Sequence, residues 1–207
     1  IRLSLVGSEM CIRDSPYWVV NRIRSRSLRN RVMASFTADW KVNGWLRLKA
    51  RGNVDYVNDK VRQKFYASTA PALAGANGRY IESSYSETLF NGEVLAMFDK
   101  RLSPDWEFSA TAGAGLNDRT VNSLRIDSKT ASLYFPNVFN VANIVMNGSA
   151  YVDEQIDARR QTQSLFATLQ LGYKNMVFLD VTARNDWVTA LANTSKTSMF
   201  YPSVRLS

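Results

Sequence analysis

No histidine occurs among the 207 residues, so proton transfer, metal binding and nucleophilic attack fall to carboxylates, amines, hydroxyls and the single Cys11. That one absence removes the Ser-His-Asp triad, the Cys-His dyad and the HExxH zinc site together. A lone cysteine closes no internal disulfide and builds no metal cluster. The carboxylates are scattered rather than paired, so an acid–base couple has no partner to tune it. No catalytic, metal-binding or cofactor-binding residue is assigned, no cofactor is expected, and the chain reads as a non-enzyme.

The cations are better ordered. Of 26 Lys and Arg against 18 Asp and Glu, residues 1–64 hold 14 against 5, so the net charge of +8 comes from the first third. The run RIRSRSLRNR from Arg22 to Arg31 has the charge of a nucleic-acid arm. No groove-entering element or base-stacking platform is spelled beside it, so it reads as a solvated loop and nucleic acid is not an expected partner. A second set follows in KVNGWLRLKARGNVDY, Lys41–Tyr56. There Arg47, Lys49, Arg51, Asn53 and Asp55 alternate with Leu46, Leu48, Ala50, Gly52 and Val54.

Strict period two means a β-strand with one polar and one apolar face. The pattern recurs in five more segments. Val32, Ala34, Phe36, Ala38 and Trp40 share a face, and Asn43-Gly44 between this run and the next is a hairpin signal. Thr88–Phe98 and Trp106–Leu116 carry their apolar set on even positions, with Glu87, Glu93 and Glu107 opposite. Leu165, Ala167, Leu169, Leu171 and Tyr173 lead through a Lys174-Asn175 turn to Val177, Leu179, Val181 and Ala183, and a seventh strand begins near Met199. No position on these apolar faces is charged, and Thr88 is the only aliphatic hydroxyl.

Short turns at 42–44, 99–105 and 174–175 alternate with long connections at 57–84, 118–158 and 188–198. Compact soluble domains avoid such irregular loops, whereas outer-membrane barrels join strands by tight turns at one rim and long loops at the other. The aromatics fall where a barrel places them. Trp40, Trp45, Phe98, Trp106 and Tyr173 sit on the apolar face beside the short turns, and Tyr56 and Trp187 stand where strands enter long loops. Rings of this kind settle at headgroup level, which predicts two lipid-interface bands. Arg47, Lys49, Arg51, Glu93 and Glu107 are then lumen-facing charges. The expected fold is all-β: about seven meandering antiparallel strands of a larger transmembrane barrel. A soluble carbohydrate-binding sandwich would place a second sheet on the apolar faces and join them by shorter loops.

Residues 1–15, IRLSLVGSEMCIRDS, make a poor secretory signal and are read as non-native read-through sequence, to be set aside with Cys11. From there on, four strings carry a resemblance: SPYWVVNR (Ser15–Arg22), YFPNVFNVAN (Tyr134–Asn143), LGYKNMVFLDVTARNDW (Leu171–Trp187) and FYPSV (Phe200–Val204). In this order they resemble the SusC/RagA family of TonB-linked outer-membrane proteins, over about residues 16–207. Ser15 stands where the family commonly has Asn, and Val188-Thr189-Ala190-Leu191 replaces a run richer in Ser and Thr. The resemblance implies a 22-stranded barrel with an N-terminal plug in the outer membrane of a Gram-negative bacterium. It also implies import of glycans or peptides, with a SusD-like surface lipoprotein as partner and energy delivered through TonB. Residues 16–207 would be a slice of that TonB-dependent receptor barrel, without plug or TonB-contacting segment. The rival of a passive porin or structural barrel shares the periodicity and differs in lacking the family strings. Loop aromatics Tyr66, Tyr80, Tyr134 and Tyr151 have the chemistry to stack on sugar rings, against the plainer role of local loop packing.

Overall fold

The computed structural model describes residues 16–146, 149–174, 176–192, 194 and 197–207. The expectations for residues 1–15, and for Asn175 in the predicted turn, lie outside them. A short helix α1 (Pro16–Arg22) opens on Pro, whose fixed φ and missing N–H suit a first helical position. Strands β1 (Ile23–Lys41), β2 (Leu46–Phe65), β3 (Arg79–Arg101), β4 (Trp106–Asp127), β5 (Tyr151–Tyr173), β6 (Val177–Val188) and β7 (Ser198–Leu206) follow. They form one seven-stranded sheet in chain order, an antiparallel meander in which β1 and β7 are not paired with each other. No described helix is long and apolar enough to cross a membrane.

The short turns sit where predicted. At the first, Asn43 Oδ1 accepts from the amides of Trp45 (3.0 Å) and Leu46 (2.8 Å), a side chain standing in for a backbone turn. Leu102 and Trp106 close the second with a 3.0 Å bond. The strands, however, run beyond the expected ends. The connections shrink from 57–84 and 118–158 to 66–78 and 128–150, and the basic run after Arg22 is not a loop but the start of β1. The reason is electrostatic. Past the apolar band both faces of a strand are polar, so the period-two signal fades while the ladder continues. Ion pairs tie this polar stretch: Arg29 to Asp59 (2.6 Å) and Arg62 to Glu82 (2.9 Å).

The residues group into two compact units. One comprises 32–56, 87–120 and 158–207; the other comprises the described residues among 1–31 with 57–86 and 121–157. In the first, register is explicit for β5, β6 and β7. Leu165↔Asn185, Ala167↔Ala183, Leu169↔Val181, Leu171↔Leu179 and Tyr173↔Val177 pair on one face. Leu206, Val204, Pro202 and Phe200 extend that face onto β7. Directly opposed residues share a face, so the two apolar sets predicted separately are one surface. Among the described residues this unit buries no apolar side chain; its only fully buried positions are Gly113 and Gly172.

The other unit has a core. Tyr80, Leu133 and Ile144 are buried together, backed by Ile126, Phe139 and Ala150. Residues 66–78 and 128–146 are clasped rather than loose. The Asn77 side chain donates to Leu133 O (2.7 Å), the Asn137 amide to Asn77 O (3.1 Å) and the Ala67 amide to Asn137 Oδ1 (2.8 Å). Gly75 and Gly78 permit this closeness. A Cβ on Gly75 would meet Thr130 O at 2.9 Å, and Gly78, at φ +106, would bring one within 2.5 Å of Phe65 O.

Candidate functional site

The chemistry of the sheet lies on its polar side. There Arg51 donates to Glu93 (2.5 Å) and Arg47 to Asp39 (2.7 Å), so two of the predicted cations have carboxylate partners across strands. Asn117 bonds to Asn91, Gln170 Nε2 donates to Asp180 (2.8 Å), and Arg184 bonds to both Asp186 (2.9 Å) and Ser164 (3.2 Å). A trough of about 650 Å³ runs across this side, lined by Arg51, Asn53, Asn91, Glu93, Asn117 and Arg184 among others. It offers alternating amide and ion-pair groups, a surface for polar solutes and water, with no group activated as a nucleophile. Lys49 makes no ion pair among the described residues. Glu107 stands near Gly172, its Cβ 3.8 Å from where a Cβ on that glycine would lie.

Sequence reading missed an apolar minority on this polar side. Phe166, paired with Arg184, lies against Gly113, where a Cβ would come within 2.5 Å of its ring. Phe178 covers Gly172 in the same way at 3.0 Å. Rings seated on glycine backbone seal weak points in a strand. The clue was Gly113 and Gly172 interrupting otherwise regular strands.

The apolar side is smooth and uncovered. Phe36 is 68% exposed, Trp40 64% and Val204 70%. A shallow trough lined by Trp40, Leu48, Ala50, Val94, Ala112 and Ala114 crosses it. At the short turns Trp45 stacks on Phe98 (5.9 Å between centroids, 22° between planes) and Trp106 meets Tyr173 in a tilted contact (4.7 Å, 47°). Trp45 lies in the turn, one residue before β2, which is how an odd-numbered ring reaches the ring of Phe98. Trp187 stands one residue from the end of β6, as expected, whereas Tyr56 lies midway along β2 because the ladder continues to Phe65; each is about two-fifths exposed.

The loop unit carries the strongest electrostatic couplings. Arg79 donates to both oxygens of buried Asp127 (2.8 Å each) and to Leu73 O (3.0 Å). Arg125 and the Lys129 amide also bond to Asp127. Burial pushes the Asp127 carboxyl upward, yet Arg79, the Lys129 amide and Arg125 together hold it below its ordinary value. The Tyr80 hydroxyl is pushed up to about 12, first by burial and then by donating to Glu82. Of the loop aromatics, Tyr80 is therefore core, Tyr66 packs edge-on against Phe139 and Tyr151 lies under Lys129. Tyr134 stays open at 62% and its neighbour Phe135 at 67%. Both stand on a backbone clamped by Asn143, whose amide nitrogen donates to Phe135 O (2.8 Å) and Val138 O (2.7 Å) while its oxygen accepts from the Phe135 amide (2.9 Å).

No family model matches this sequence, and no curated protein matches it. Solved structures do. The RagAB peptide importer in its open-open state is similar at a TM-score of 0.76 and 16% identity, over 92% of this chain and 20% of that one. The RagAB peptide transporter gives 0.78 and 16%, over 92% and 21%. The closed-closed state of the RagAB importer gives 0.76 and 17%, over 92% and 21%. The chain thus has the fold of a barrel segment, and it spans about a fifth of the length of the chains it matches.

Proposed function

We propose that this chain is a section of an outer-membrane transporter barrel of the SusC/RagA kind in a Gram-negative bacterium. Residues 16–207 belong to the TonB-dependent receptor barrel domain, and the whole protein imports a peptide or oligosaccharide. The observation that carries this is the single-layered sheet whose mainly apolar side, uncharged over Val32–Trp40 and Leu46–Val54, is left open to solvent. A soluble sandwich buries such a side under a second sheet; here lipid covers it, and the backbone groups pair between strands because hydrocarbon offers them no partner. Trp40, Trp45, Phe98, Trp106 and Tyr173 mark one interface, and Tyr56 and Trp187 the other. Arg47, Lys49, Arg51, Glu93 and Glu107 face the lumen, where ion-paired and amide groups line a polar path or hold a plug. Strands of 20 to 23 residues exceed the 9–11 needed to cross. Energy through TonB and a SusD-like lipoprotein partner belong to the same reading, supported by the four family strings and the RagAB-like fold.

Spin labels at residues 48, 94 and 110 in the full-length protein test the facing. They are expected to be relaxed by dissolved oxygen and shielded from an aqueous nickel chelate; the opposite accessibility would overturn the membrane reading.

A further inference from the structure

One end of the β1–β2 hairpin carries cations where cross-strand pairing disfavours them. The Tyr66 amide donates to Arg22 O (3.0 Å) and Arg29 is bonded to Asp59 (2.7 and 2.6 Å), which fixes one antiparallel register along this stretch. That register sets Arg24 opposite Lys64 and Arg26 opposite Arg62, all four on one side of the two strands. Like charges directly opposed cost stability, and the other side of the same strands avoids them by setting Asp59 against Arg29. Arg24, Arg26 and Lys64 have no carboxylate partner among the described residues; Arg24 bonds weakly to Asn21 O (3.4 Å). Glu82 is bonded to Arg62 through one oxygen and accepts from Tyr80 with the other, so positive charge is in excess.

The array lies open beside a covered region of the same unit. Phe139 of the 128–146 loop packs on Tyr66 and Tyr80 and stands 5.5 Å from the Lys64 ammonium, so the loop roofs the β3 side. Toward β1 the four cations line a groove of about 740 Å³ with Val20 of α1, and Arg24, Arg26 and Arg62 are exposed. Strand amides point along the sheet rather than into this groove, unlike the converging N–H groups of a phosphate cradle. What the groove offers is a grid, with cations about 7 Å apart along each strand and about 5 Å apart across the pair. Alternate side chains of an extended peptide also stand about 7 Å apart on one face, which matches a row of that grid.

We infer that the Arg24–Arg26–Arg62–Lys64 groove binds an extended peptide segment with carboxylates on alternate residues. Binding stands on this geometry alone; that such a peptide is cargo rests on the importer reading above. The test uses the full-length protein in neutral maltoside micelles and a rhodamine-labelled heptapeptide alternating Glu and Ser, read by fluorescence anisotropy. Saturable binding is expected, weakened by added salt, whereas an all-Ser peptide should not bind. Arg24→Gln with Arg26→Gln should weaken it about tenfold, roughly a factor of three for each exposed ion pair. Arg29→Gln, on the other side of β1, should leave it unchanged. Because opposed like charges are removed, the double variant should be no less stable to urea at low salt; a less stable one would give the arginines a structural role and overturn the site. Binding indifferent to the double substitution overturns it too, as does equal displacement by pyrophosphate, which would assign the groove to a phosphate compound. The spin labels at 48, 94 and 110 report the membrane reading separately. Lipid-exposed labels with no peptide bound remove this site alone, and water-exposed labels with specific binding remove the cargo role alone.

Discussion

Ala50→Arg and Arg51→Ala differ by one position and should differ in stability by orders of magnitude. Ala50 lies mid-band on the apolar side of β2, in the trough with Trp40, Leu48, Val94, Ala112 and Ala114. No carboxylate lines that trough, so an arginine placed there has hydrocarbon around its stem and a long reach to either interface. A cation near the bilayer midplane costs roughly 2–4 kcal/mol, a factor of about 30 to 1,000 in the folding constant. Arg51 points the other way and is half exposed, paired with a Glu93 that is itself about a third exposed. Ion pairs of that exposure contribute about 0–1 kcal/mol, so its loss is a small effect. The assay is a reversible urea titration of the full-length protein folding into bilayers, comparing each variant with wild type. Comparable losses for the two substitutions would refute the assignment of sides, because only the medium facing them distinguishes their costs.

Two further outcomes concern the clasped loops. Asp127 is held below its ordinary carboxyl value of 3.8 in the native state, so its contribution is complete above that value and is lost as pH falls through the lower native one. Hydrogen-exchange protection of 66–78 and 128–146 should therefore fall at strongly acid pH, and Asp127→Asn should lower it at pH 7 by roughly 3 kcal/mol while flattening the acid dependence; retained protection at pH 7 would contradict the central role of Arg79–Asp127. Asn143→Ala removes three hydrogen bonds at a buried site and should speed exchange around Phe135–Val138 by about two orders of magnitude, roughly 3 kcal/mol of local opening, whereas unchanged exchange would show that the clamp is dispensable.

Legibility in the sequence follows the contrast between faces. Where one side must be apolar, as from Leu46 to Val54 or Leu165 to Tyr173, alternation alone sets strand and side, and the β5–β6 pairing brings the two expected apolar sets together residue for residue. Where both sides meet water, nothing in hydropathy separates strand from loop. Residues 57–65 and 79–84 were therefore expected in a connection, although they are β-strand tied by Arg62–Glu82. The same blindness made a loop of the basic run that β1 absorbs. A cross-strand ion pair joins residues 20 or 30 apart, and a single sequence gives no sign which cation will meet which carboxylate.

The loop core was hidden for a different reason. Its order comes from side-chain amides satisfying backbone groups: Asn77, Asn137 and Asn143 each bond to a main chain five to seventy residues away. Asparagine in a string such as YFPNVFNVAN signals a turn by composition, yet the distance over which it clasps is set by tertiary packing. That string served first as a mark of resemblance. In the structure it is the part that turns a long connection into a rigid shoulder, with Tyr134 and Phe135 held outward on a fixed backbone. A mobile loop would have to give up conformational freedom before gripping a ligand; this one has already given it up, at a cost offset within the protein by Leu133, Ile144 and the asparagine bonds. The loop unit is thus built to present a surface.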